Sequence, residues 1–141
     1  LKTSPFSKAL AGEIPMTAEY NEMKKLMESA QSKLPKYNGT VFRGAGKAES
    51  DFAKTLSVGQ DFNFNGRFTS TSTKDYIASD FMRGNNGSVM WEIEAKSGTD
   101  LKSINSSEFE VLLKTNSKYK LLEIKNNSTS SDVKIYKIKE L

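Results

Sequence analysis

Residues 106–113 read SSEFEVLL, with Glu108 and Glu110 flanking Phe109 and running into an apolar triplet. In an extended backbone the two glutamates share one face, while Phe109, Val111 and Leu113 line the other. The carboxylates then lie roughly 7 Å apart, two residue rises along the strand. Their repulsion grows if the face is partly buried, so the pair calls for a cation between them. A solvated edge strand, whose acids discourage aggregation, shows the same Glu-x-Glu pattern.

Outward from this stretch, SVMWEIEA (88–95) alternates, with Val89, Trp91, Ile93 and Ala95 on one face and Met90, Glu92 and Glu94 on the other. Downstream, KYKLLEIKN and DVKIYKIKEL read as a closing hairpin around the polar loop Asn126 to Ser131. Upstream, Met16, Tyr20, Met23, Met27, Ala30 and Leu34 recur at helical spacing, with Thr17 as N-cap and Pro35 as terminator. That methionine stripe reads as a core face. A turn at Tyr37-Asn38-Gly39 leads into the strand TVFRGA, and Ser50 to Leu56 reads as one or two helical turns. RFTSTS (67–72) reads as a strand, followed by a short helix capped by Ser72 and packed through Tyr76, Ile77 and Phe81. Gly84 to Gly87 form a loop. Helices first and strands later is the pattern of an α+β fold with largely antiparallel sheet, and residues 1–141 show neither a repeat nor an internal boundary.

Composition narrows the chemistry. The 141 residues include neither cysteine nor histidine, which excludes disulfides, thiolate catalysis, Ser-His-Asp mechanisms and His- or Cys-ligated metals. Carboxylates, lysines, tyrosines and hydroxyls remain. Residues 1–113 balance 14 basic against 14 acidic residues, whereas the last 28 carry seven and three. Alternating lysines on terminal strands are the ordinary solvated face, so nucleic acid is not the expected partner. No apolar run reaches the roughly 20 residues of a membrane-spanning helix. The chain opens on Leu1 without a charged-then-apolar leader, as a processed product or an excised domain would, and its compartment is unreadable.

Three stretches stand apart from the scaffold. Arg43 sits mid-strand in the apolar context VFRG, where a charge is costly unless it is paired or meets an anion. Its planar fork suits a phosphate, bonding two oxygens at once. Ser70-Thr71-Ser72 supplies three hydroxyls, with Ser70 and Ser72 on one face, and the third stretch is the acid pair. Each alone has a plain structural explanation: a buried salt bridge, edge-strand hydroxyls and a solvated edge.

In this order, VFRG, FTSTS and EFEVLL resemble the arginine-specific mono-ADP-ribosyltransferases of the Arg-Ser-Glu class, which include actin-modifying bacterial toxins and related effectors. The resemblance spans about residues 17–138. It implies an N-terminal helical region packed on a two-sheet, mostly antiparallel core, with NAD as co-substrate in the cleft between the sheets and no metal. Arg43, with Gly44 beside it, matches the arginine that holds the phosphate-ribose part of NAD. Glu110 matches the carboxylate that stabilises the oxocarbenium-like transition state and bonds the ribose 2′-hydroxyl. Ser70 matches the hydroxyl that orients it, Thr71 and Ser72 shape the pocket, and Glu108 matches the residue that receives the acceptor guanidinium. Phe81 and Arg83 match, more loosely, an aromatic and an arginine that contact nicotinamide and phosphate, and Asn65 and Arg67 lie within reach. The segment from Thr99 to Ser107 corresponds to the acceptor-recognition loop.

The branches that use histidine in place of the arginine are excluded by composition, and Glu108 in place of a glutamine points to an arginine acceptor. The implied partner is a protein presenting an arginine, actin among the candidates, with no membrane. The implied setting is that of a secreted toxin or effector. NAD hydrolysis, or a silent binding module with a basic C-terminal face, are the alternatives.

Overall fold

A computed structural model describes residues 5–82, 88–102, 109–127 and 130–141. Among the described residues four helices, α1 (Pro5–Leu10), α2 (Ala18–Lys33), α3 (Lys47–Lys54) and α4 (Asp75–Met82), interleave with seven strands. The strands are β1 (Lys36–Ala45), β2 (Asp61–Phe62), β3 (Thr69–Ser72), β4 (Val89–Asp100), β5 (Glu110–Leu113), β6 (Tyr119–Asn127) and β7 (Ser130–Glu140). They join in the order β1-β3-β5-β4-β7-β6-β2, and β1 also pairs with β4. All pairings are antiparallel except β4 with β7.

The expected α+β architecture is present, and the two halves of the sheet are joined through β4. Residues 89–94 of β4 pair with β7 on one side, and residues 89–99 pair with β1 on the other. At Thr99 and Asp100 the strand passes to β5. Since β5 pairs with β3 and β3 touches β1 at Phe42–Ser72, the sheet folds back on itself.

The alternation in SVMWEIEA holds: Val89, Trp91, Ile93 and Ala95 are buried in the main core with Val41, Val111, Leu113, Leu121 and Ile138. Around Trp91 stands an aromatic cluster, with ring centroids 5.1 Å from Phe64, 5.8 Å from Phe62 and 5.4 Å from Tyr136. Such pairs add about 0.5–1.5 kcal/mol each beyond the area they bury. A second cluster of Phe6, Phe68 and Leu112 is covered by Leu10, Tyr20, Met27 and Leu101.

Several expectations are corrected. Helix α2 begins after Thr17, whose hydroxyl accepts from the Tyr20 amide, and its C-cap is Leu34 before Pro35, as anticipated. Its inner face, however, runs through Tyr20, Met27 and Gln31, while Met16, Met23 and Ala30 are exposed. Gln31 tolerates burial because its amide donates to the Leu112 carbonyl at 3.3 Å. Tyr37-Asn38-Gly39 is a bulge inside β1 rather than a turn, because β4 pairs with β1 on both sides of it. Helix α3 starts at Lys47, earlier than anticipated. Strand β3 starts at Thr69, and Tyr76 on α4 faces solvent, with Ala78 buried instead. Gly84 to Gly87 lie outside the described residues, and no described helix is long and apolar enough to cross a membrane.

Candidate active site

The SSEFEVLL stretch is not extended throughout. Strand β5 begins at Glu110, and Phe109 has φ 50°, a left-handed conformation that non-glycine residues seldom adopt. The Phe109 carbonyl accepts from the Thr73 amide at 3.1 Å, and the Glu110 carbonyl accepts from the Leu101 amide at 3.0 Å. Lys74 Nζ lies 5.2 Å from the Phe109 ring centroid. The backbone therefore turns immediately before Glu110. The extended backbone on which the shared-face argument rests is absent at Phe109, which is half-buried outside the core that holds Val111 and Leu113. Glu108 lies outside the described residues, as do Arg83 and the segment 103–107.

Strand pairing sets what Glu110 meets. Ser72 pairs with Glu110 and Ser70 with Leu112, so Ser70, Ser72 and Glu110 share a face and Ser70 is the diagonal neighbour of Glu110. The Ser70 hydroxyl donates to Glu110 Oε2 at 2.5 Å. The Thr71 and Ser72 hydroxyls bond the backbone. Thr71 Oγ1 donates to the Val111 carbonyl at 2.6 Å, and Ser72 Oγ accepts from the Lys74 amide at 3.1 Å, ahead of α4.

Arg43 sits opposite Trp91 in the β1–β4 ladder. Its Nε donates to Glu49 Oε1 at 2.8 Å, its Nη2 to Glu49 Oε2 at 2.6 Å and its Nη1 to the Ser70 carbonyl at 2.9 Å. The side chains of Arg43 and Glu49 are only 10% and 15% exposed, so the fork-to-fork pair is largely desolvated. Trp91 Nε1 also donates to Glu49 Oε1, at 3.1 Å. Sequence reasoning missed Glu49. The signal was Arg43 itself, a strand charge needing a partner, followed within six residues by an acid on a helix.

Arg43, Glu49 and the β3 hydroxyls border a cavity of about 600 Å³, within the usual range of small-molecule sites, whereas Glu110 stands behind its wall, joined to it through Ser70. Its walls include Arg43, Gly44 and Phe42 from β1, Lys47 and Glu49 from α3, Thr69 to Ser72 from β3, Ala78 from α4, and Asn65 and Arg67. Gly44 is required by packing: a Cβ there would stand 1.9 Å from the Ala78 carbonyl oxygen. Asn65 (φ 53°) and Gly66 (φ 75°) form a left-handed turn that brings Arg67 to the wall. Asn63 pins this turn by accepting from the Gly66 amide and donating to the Thr115 and Ser117 carbonyls. Arg67 Nη2 pairs with Glu13 at 3.2 Å, while its buried Nε has no partner. Lys47 pairs with Asp51 at 2.8 Å, a bond that holds the Asp51 carboxyl below its ordinary value. Phe81 falls on α4. No cluster of acidic side chains suited to a metal occurs among the described residues.

Away from the cavity, burial would raise the Glu140 carboxyl, but hydrogen bonds from Ser97, Lys96 and Ser117 outweigh it and hold the group low. Burial pushes the Tyr119 hydroxyl up. Part of the basic excess of the tail is paired, Lys120 with Asp61 and both Lys125 and Lys137 with Glu92.

No family model and no curated protein matches the sequence. Solved structures do. The ADP-ribosyltransferase Vis in complex with agmatine superposes with a TM-score of 0.76 at 22% identity, over 99% of this chain and 70% of that one. Vis is a toxin from Vibrio splendidus. Exoenzyme S from Pseudomonas aeruginosa, in complex with human 14-3-3 protein beta and bound to carba-NAD, matches with a TM-score of 0.76 at 18% identity, over 96% of this chain and 65% of that one. The ADP-ribosyltransferase HopU1 of Pseudomonas syringae matches with a TM-score of 0.71 at 19% identity, over 98% and 60%. The chain has the ADP-ribosyltransferase fold and spans about two thirds of the length of these proteins.

Proposed function

We propose that this protein transfers ADP-ribose from NAD to an arginine side chain of a target protein, releasing nicotinamide. The observation that carries the reading is the Ser70 hydroxyl bonded to Glu110 Oε2 beside a cavity walled by Arg43. Serine fixes one carboxylate oxygen, and among the described residues no side chain bonds the other, Oε1, which leaves it to an incoming group.

The residues fit NAD. Arg43 has five N–H groups, of which three are engaged by Glu49 and Ser70. One N–H on Nη1 and one on Nη2 remain for the diphosphate. Arg67 adds a second guanidinium on the same cavity wall. As the bond from ribose C1′ to the nicotinamide nitrogen breaks, its electron pair leaves with neutral nicotinamide and positive charge develops on the ribose. A carboxylate held at Glu110 opposes that charge most strongly in the transition state. A guanidine nitrogen of the acceptor then bonds C1′ and gives up a proton, the step assigned by resemblance to Glu108. Vis, which shares the fold, has been solved with agmatine, a guanidine compound, and this supports a guanidine acceptor. The fold's occurrence in the Vis toxin and in a type III effector of Xanthomonas axonopodis supports action in a target cell.

Incubation with labelled NAD, with and without an arginine-containing acceptor, tests the reading. Glu110→Gln is expected to abolish both transfer and nicotinamide release. Glu108→Gln is expected to lose transfer and retain more hydrolysis. No nicotinamide release from the native protein would sink the enzyme reading, and equal loss of both activities in the two variants would sink the division of roles.

A further inference from the structure

We infer that Glu49 is a positioning residue for cofactor binding, acting through Arg43. The inference rests on the NAD reading above and adds a residue to that site. A lone arginine on a strand can swing its guanidinium through several rotamers, each presenting different N–H groups. Here both oxygens of Glu49 occupy Nε and Nη2, and the Ser70 carbonyl occupies Nη1. The guanidinium plane is thereby fixed, and the two N–H groups left over are determined.

Glu49 is itself held. Its position on the first turn of α3 brings it over Trp91, whose indole donates to Oε1 and whose ring is fully buried among Phe62, Phe64 and Tyr136. Rigid core therefore supports the carboxylate, the carboxylate supports the arginine, and the arginine meets the β3 backbone at the residue whose hydroxyl holds Glu110. The chain of bonds crosses α3, β4, β1, β3 and β5. Glu49 neutralises much of the Arg43 charge, so its contribution is directional: it trades long-range attraction for a preset geometry.

The alternative role for a carboxylate in this place is competition, in which Glu49 occupies Arg43 until phosphate displaces it. The two roles predict opposite signs. Glu49→Gln is isosteric, but it must set an amide N–H against one of the two guanidinium donors. The experiment measures NAD affinity by calorimetry for the native protein, Glu49→Gln, Arg43→Lys and the double variant. Positioning predicts that Glu49→Gln weakens NAD about tenfold, and that the double variant is within about twofold of Arg43→Lys alone, since Glu49 then has no guanidinium to orient. Tighter NAD binding by Glu49→Gln, unchanged binding, or losses that multiply in the double variant would overturn the inference.

A second readout needs no NAD. Trp91 is the one tryptophan in the sequence, so its indole N–H gives a unique resonance. That resonance is expected to be slow to exchange with solvent in the native protein and in Arg43→Lys, and to shift and exchange faster in Glu49→Gln. If the native protein binds no NAD, the functional reading falls, and the indole signal decides the contact network by itself. A resonance unmoved by Glu49→Gln would refute the clamp.

Discussion

Two carboxylates shielded from solvent, the half-buried Glu49 and the buried Glu140, solve the same problem in different ways. Glu140, at the end of β7, accepts from the amides of Lys96 and Ser97 at 2.7 and 3.0 Å and from the hydroxyls of Ser97 and Ser117 at 2.5 and 3.1 Å. Its donors are neutral, their capacity is used within the fold, and the cluster stitches β7 to the middle of β4. Glu49 instead meets a guanidinium that keeps two N–H groups in reserve at a cavity wall. A saturated network explains itself through stability, whereas one that retains unspent donors beside a cavity points to a ligand.

The comparison can be broken by perturbing each network in turn. The largest expected effect is on chemistry: Glu110→Gln, at the end of the open network, should slow nicotinamide release by about 10²–10³-fold or more, with unfolding free energy changed by less than about 1 kcal/mol. Steady-state kinetics and urea denaturation check both halves. Next, Arg43→Ala strands Glu49 with little solvent, and urea denaturation should show a loss of about 3–5 kcal/mol. A loss below about 1 kcal/mol would mean that the pair is solvated and the network looser than its distances suggest.

In the closed network, Glu140→Gln should cost about 1.5–3 kcal/mol at pH 7, from hydrogen bonds to a charged group, with activity per folded molecule unchanged. Because the folded carboxyl is held below its ordinary value of 4.5, the native protein has this stabilisation in full above that value. It is lost as pH falls through the lower folded value. Thermal melts from pH 7 to 3 should show this acid limb in the native protein and a shallower one in Glu140→Gln. The smallest effect is expected for Ser97→Ala, which removes a hydroxyl donor while the Ser97 amide remains, at about 1 kcal/mol with kcat and KM unaltered.

Much of this arrangement is local and therefore legible in sequence. Alternation in SVMWEIEA exposes the core face of β4, an arginine in VFRG announces a need for a partner, and FTSTS before EVLL reads as two strands. What escaped reading depends on tertiary partners. Glu49 lies in KAESD, a polar helix start that looks solvated until α3 folds over Trp91. Gln31 is polar, so a count of apolar spacing passes over it and credits Met23 and Ala30 with burial, although a carbonyl on β5 waits for its amide. Phe109 looks like one step in a regular alternation. Its backbone bond with Thr73 and the bond from Leu101 to the next residue, both tertiary, flank the left-handed conformation of Phe109 just before Glu110.

The place of β7 bears on how the protein is made. It follows β1 to β6 along the chain, yet it lies between β4 and β6, pairing with the first in parallel and the second in antiparallel. On the ribosome, β1 and β4 can meet early, but one edge of β4, carrying the backbone of Trp91 and Ile93, stays unpaired until β7 emerges. Completion of this sheet therefore waits for β7, and a nascent chain stopped before Ile135 retains an open edge and an unfinished core. A cell making this protein would then hold it without a finished sheet until translation reaches β7.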